Sequence, residues 1–266
     1  MRKMCARAKR RRLKPVATFI RPLPLSGGAI LIALLLILLS VLPARASIAY
    51  VNSWSTNTTG TGTALSISTG SGTQAAAGNV LVACINFYNA GISMTCPSGW
   101  STAVAQFDNS LIHMLVCDKV ATSGDVGATF TFTPSGAAYL SGGITCLSGE
   151  YQSQPIDVAG LGSTGTSGAV TAASITTTVA NDYLLWCGQS SLAGTVAQPT
   201  GYTAGWGIAT SGAVEGSTGG YNGPVSTGAT GNVASTTTST QWEAVLVALA
   251  PSAPSGNVQH GFFWGP

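Results

Sequence analysis

Residues Asn79-Val80-Leu81-Val82-Ala83-Cys84 lead to the turn Pro97-Ser98-Gly99-Trp100, and the same order returns as Asn181-Asp182-Tyr183-Leu184-Leu185-Trp186-Cys187 followed by Pro199-Thr200-Gly201-Tyr202. Asn79 and Asn181, Pro97 and Pro199, and Gly99 and Gly201 are each 102 residues apart. That offset also lays Gly143-Ile144-Thr145-Cys146-Leu147 over Val245-Leu246-Val247-Ala248-Leu249. An ungapped offset across three elements points to a duplication of about 100 residues, not to a short solenoid period. Each unit reads as an apolar strand, a P-[ST]-G-aromatic turn and a closing apolar strand.

Outward from these stretches, no window after Ser47 keeps a helical apolar period for three turns. Short apolar or alternating runs recur between Gly, Ser, Thr, Pro and Asn clusters, the signature of an all-β domain. The runs are Ile48–Trp54, Val80–Tyr88, Leu111–Val120, Ala128–Thr133, Ala138–Leu147, Ala172–Val179, Tyr183–Gly188 and Trp242–Ala250. Val80–Ile85 and Ala244–Leu249 are apolar at every position, so both should be central strands covered on both faces. The expected fold is a jelly-roll or Ig-like antiparallel β-sandwich of two equivalent halves, about 47–157 and 158–251. Two arrangements fit: successive Ig-sized sandwiches linked near Gly160–Gly168, or halves interleaved into one sandwich with a shared core. The short, proline-free Val158–Gly168 favours the single sandwich. Residues 252–266 read as a C-terminal tail.

The N-terminus carries nine basic residues between Arg2 and Arg21, an apolar run from Ala29 to Leu42 and then Ala44-Arg45-Ala46. Basic, apolar and A-x-A segments in that order are those of a signal peptide over 1–46, with an uncleaved anchor as the alternative. Cleavage reverses the charge: Lys119 is the only Lys or Arg after Arg45, against eight Asp and Glu, a net charge of −7. A domain with one cation cannot neutralise a run of phosphates, so nucleic acid is excluded as a partner. The mature domain is expected to be secreted or at the cell surface and not membrane-embedded.

Five cysteines follow the leader: Cys84, Cys96, Cys117, Cys146 and Cys187. Four lie in apolar runs and read as buried thiols. One or two bridges are the rival reading, with Cys84 to Cys96 or Cys117 the first pair to test. No C-x-x-C occurs and no metal or cofactor is expected. No G-x-S-x-G elbow is present, and His113 and His260 are the only histidines. His113 reads as a strand histidine rather than a base. Asp125 and Asp157 read as turn caps. Trp100 and Tyr202 read as plugs at the two ends of the core. Trp54, Trp206 and Tyr221 are the candidate ligand-binding residues, the last two in Gly201–Gly231, the longest stretch without a clear strand. Aromatic faces there would stack on sugar rings.

The ordered segments GNVLVACINF, CPSGW, GGITCLSGEYQSQPIDV, SITTTVANDYLLW, QPTGY and TQWEAVLVALAP, from Gly78 to Pro251, resemble a family of bacterial and phage-associated β-sandwich domains. Such domains occur in exported proteins or beside tail and adhesion modules. The shared motifs are strand cores and turns, and the resemblance brings no catalytic residues. It implies a surface role. The expected function is therefore non-enzymatic surface attachment or glycan binding, with glycans or cell-surface polymers as partners. The alternative is a passive structural module of an envelope, exopolymer or virion-like assembly.

Overall fold

The computed structural model describes residues 47–166, 168–191, 196–208, 216–237 and 241–253. The leader over 1–46, His260 and most of the expected tail lie outside them. The described chain is all-β and antiparallel, and none of its helices is long and apolar enough to cross a membrane.

Seven strands come first: β1 (Ala49–Asn57), β2 (Leu65–Ser68), β3 (Val80–Tyr88), β4 (Ser101–Asn109), β5 (Ile112–Val120), β6 (Thr129–Phe132) and β7 (Tyr139–Ser148). The remainder are β8 (Ile156–Ala159), β9 (Ser163–Gly165), β10 (Ala169–Ala172), β11 (Thr176–Thr177), β12 (Asp182–Ser190), β13 (Thr203–Ile208), β14 (Gly216–Val225), β15 (Gly228–Ala229), β16 (Val233–Thr236) and β17 (Trp242–Leu249). One sheet has the order β1-β7-β3-β5-β4, the other β8-β17-β12-β14-β13, with β9 also on β17. Pairs β2–β6, β10–β16 and β11–β15 stand apart from them. Every strand of the first large sheet ends by Ser148 and every strand of the second begins at or after Ile156, so neither contributes a strand to the other. Interleaving is thus replaced by face-to-face docking of sheets built from successive chain segments. Short connections favour pairing close in sequence.

The facing sides share one apolar core. Val80, Val82, Cys84, Met114, Val116 and Leu147 of the first sheet meet Leu185, Cys187, Trp206, Val245, Val247 and Leu249 of the second. The outer face of the first sheet is covered by β2–β6, which sets Leu65, Ile67, Phe130 and Phe132 on Leu81, Ile85, Leu115 and Ile144. The outer face of the second is covered by β10–β16, which sets Val170 and Ala172 near Leu184, Trp186 and Leu246. Each central strand is therefore buried on both faces. This is why Val80–Ile85 and Ala244–Leu249 are apolar without alternation.

Both P-[ST]-G-aromatic segments are tight turns. Trp100 N–H donates to Pro97 O at 3.0 Å and Tyr202 N–H to Pro199 O at 3.1 Å. Gly99 and Gly201 take φ of 81° and 84°, a conformation that penalises any Cβ. Rather than plugging the two ends of the inter-sheet core, Trp100 lies against the outer cluster of the first sheet and Tyr202 against that of the second.

The cysteines are not all buried thiols. Cys84 pairs with Cys187 across the two sheets, Cys96 pairs with Cys117, and Cys146 is free and buried. Two adjacent runs could not reveal the first bridge, because its partners are 103 residues apart and meet only when the sheets dock. Closing so long a loop constrains the unfolded chain by about 5 kcal/mol. Replacing both Cys84 and Cys187 by Ser should lower the unfolding free energy by about that amount, read from guanidinium titration. Non-reducing peptide mapping should recover both bridges, with Cys146 alkylated only after unfolding.

Candidate functional site

Of the sequence-derived aromatics, Trp54 and Trp206 are buried and Tyr221 is half-buried. Trp206 is 6% exposed and wedges between the sheets over Gly143 of β7 and Gly219 of β14, where a Cβ at either glycine would overlap its indole. Close approach of a large ring explains glycine within these strands. Trp54 is 5% exposed, packs in the outer cluster of the first sheet and donates its Nε1–H to Ser71 O at 2.7 Å. Tyr221 stacks with Tyr50 at 4.4 Å and with Tyr183 at 5.7 Å. Neither tryptophan offers a free face to a sugar, and the Tyr221 ring is engaged by two other tyrosines. Within Gly201–Gly231, β13 and β14 are strands; glycines that make room for Trp206 and Tyr183 hide the β14 pattern.

His113 is buried on β5, stacked on Phe87, with Nδ1 2.7 Å from Asp108 Oδ1 and Nε2 2.9 Å from Asn89 O. Burial acts to raise the Asp108 carboxyl, but hydrogen bonds from Gln106 and His113 and the His113 charge hold it below the ordinary value. With both ring nitrogens engaged, His113 fastens the β4–β5 hairpin to the end of β3. Asp125 caps its turn through Thr122 N–H at 2.8 Å and lies 3.4 Å from Lys119. Asp157, expected to cap its own turn, instead accepts from the Thr178 N–H at 2.7 Å and from the Thr178 hydroxyl. The Cys146 thiol is pushed up to about 12 by burial and by Glu150, which disables it as a nucleophile.

A cleft of about 460 Å³ opens on the outer side of the second sheet, a size that suits small-ligand sites. Leu184 and Tyr202 line it together with Thr200, Asn222, Thr227 and Asn232, and none of its lining residues is charged. The Tyr202 hydroxyl has no hydrogen-bond partner among the described residues, and burial pushes it up to about 12. Sequence reasoning placed Tyr202 in a scaffold turn and missed the rest. Apart from Thr200 of the same turn, the polar residues come from β14, from the loop before β15 and from the approach to β16, with no common spacing.

The cleft exists because its cover is thin. In β2–β6 the buried cross-strand pairs are Leu65 with Phe132 and Ile67 with Phe130. Trp100 meets both phenylalanines edge-on, at 5.0 and 5.6 Å. In β10–β16 the corresponding pairs are Val170 with Ser235 and Ala172 with Val233. Small side chains beside Tyr202 leave open the volume that phenylalanines fill beside Trp100.

Glu150 is 2% exposed, and burial pushes it from 4.5 up to about 8, against a hydrogen bond from its own backbone. The folded chain therefore holds a proton there between about pH 4.5 and 8 that the unfolded chain releases, so this group's contribution to stability declines as pH rises through that window. Glu150→Gln should flatten the fall in urea midpoint between pH 5 and 9 and raise the midpoint at pH 9. Trp206→Ala should cost about 4 kcal/mol of stability in urea unfolding, because it empties the space between the two glycines.

No protein-family model matches the chain, and neither a curated protein nor a solved structure matches it.

Proposed function

We propose that this chain is an exported, non-enzymatic β-sandwich of two equivalent halves that binds neutral glycans, at a cell surface or on surface polymers, through the Tyr202 cleft. The observation that carries the reading is that β16 sets Val233 where β6 sets Phe130, beside a cleft lined by hydroxyls, amides and one aromatic. A site with no charged side chain selects against phosphates and carboxylates and suits polyhydroxylated ligands. The engaged His113 and the buried Cys146 favour binding over catalysis.

The duplication reading draws on the two strand orders, which match position for position, and on β3 and β12, whose ends are each offset by 102 residues. It also draws on the extra residues Ala103 in β4 and Gly205 in β13, which sit at the same offset. An Ig-like sandwich describes each half better than a jelly roll, since each large sheet carries its own small covering pair. The resemblance to bacterial and phage-associated surface domains agrees with this role, as does a leader over 1–46.

A passive module assembled by strand-edge pairing fits less well. The outer strands β1, β4, β8 and β13 all carry register irregularities, which blunt edges against further pairing.

On a glycan array the mature domain should bind neutral oligosaccharides. Tyr202→Ala and Asn222→Ala should each weaken the best ligand tenfold or more, as read by calorimetry, while Trp100→Phe leaves affinity unchanged. Absence of binding to any neutral glycan would sink the reading.

A further inference from the structure

A second polar site lies sealed between the sheets, away from the cleft. Alternation along β3, β12 and β17 continues the shared core from Cys84 to Asn86, from Cys187 to Gln189 and from Val245 back to Glu243. Asn86 is directly opposite Ser141, and Gln189 is opposite both Ser217 and Glu243. The Ser217 hydroxyl donates to Ser141 Oγ across the sheets at 3.1 Å, and the Gln189 amide donates to Glu243 Oε2. These contacts join the five into one row, and all five side chains are fully buried.

The row is incomplete as a hydrogen-bond network. Asn86 Oδ1 and Nδ2, Gln189 Oε1 and Glu243 Oε1 have no well-formed hydrogen bond among the described residues. Leaving such atoms bare is costly, so three unsatisfied oxygens in one buried row, from both sheets, are a strong demand for a ligand. Among the described residues no lysine or arginine pairs with the row. Lys119 is the only Lys or Arg after Arg45, and it lies beside Asp125.

We propose that Asn86, Gln189 and Glu243, with the Ser141 and Ser217 hydroxyls, hold a hard, oxygen-seeking cation that clamps the two sheets together. One carboxylate among neutral oxygens is a donor set for a hard cation of low charge. No group of three or more His, Cys, Asp or Glu gathers among the described residues, so a nitrogen- or thiolate-seeking transition metal has no comparable site. The ion would satisfy three oxygens at once and compensate the Glu243 carboxylate.

The test is thermal unfolding of the purified chain after dialysis against EDTA and tetramethylammonium buffer. Sodium, potassium or calcium chloride is then added, each matched in ionic strength by tetramethylammonium chloride. One of the three should raise Tm saturably by about 5 °C, while tetramethylammonium does not. Glu243→Gln, which preserves shape and removes the charge, should abolish the response, and Glu150→Gln should keep it. Equilibrium dialysis of the wild-type chain with the responding cation should give one ion per chain, a readout that stands even where a variant fails to fold. If no cation exceeds the tetramethylammonium control, or if Glu243→Gln responds like wild type, the proposal is overturned and the row holds water alone. None of these outcomes depends on glycan binding.

Discussion

Docking of two large sheets across one shared core sets nearly everything else in this molecule. Facing sheets ordinarily stand about 10 Å apart. Yet Cys84 and Cys187 bring their Cα atoms to 6.3 Å, so the sheets draw together at that point. Elsewhere the gap must hold an indole, and Gly143 and Gly219 surrender their side chains to Trp206. Bridge and wedge thus have opposite local effects on spacing. The fit between them leaves little room for change in either, since native interiors are close-packed.

Burying both faces of both sheets has an electrostatic consequence. With eight acids and one lysine after Arg45, the chain cannot pair most of its carboxylates internally, so an acid drawn into the core without a partner tends to lose its charge. Glu150 and Glu243 occupy different surroundings and face the same problem. Glu150 acts on the free Cys146 and on Tyr183, helping to raise both, whereas Glu243 belongs to a row of amides and hydroxyls rich in acceptors. A neutral acid suits the first setting. The second calls for a counter-ion.

What the sequence disclosed follows from these same constraints. β3 and β17 were legible because burial on both faces leaves no polar position to interrupt the run. β4 and β14 were not. The first mixes polar and apolar residues on an irregular edge, and the second carries glycines that make sense only beside Trp206, Gln198 and Tyr183. The inter-sheet bridge and the buried row were hidden for a similar reason, since their members come together only in the docked fold. The aromatics chosen for sugar stacking misled because sequence position near glycine suggests a loop, while here glycine marks the room a buried ring requires.

The cleft shows where function can differ from scaffold in a molecule of this plan. The two P-[ST]-G-aromatic turns have nearly the same backbone, and each sets an aromatic ring on an outer cluster. Beside Trp100 the covering strands supply Phe130 and Phe132, and the ring becomes core. Beside Tyr202 they supply Val233 and Ala234, and the phenol borders a cleft lined by threonine and asparagine. An aromatic whose packing partners have been reduced in size no longer serves burial alone. The stability forgone under the thinner cover is the physical reason to regard that cleft as a binding site rather than a packing defect.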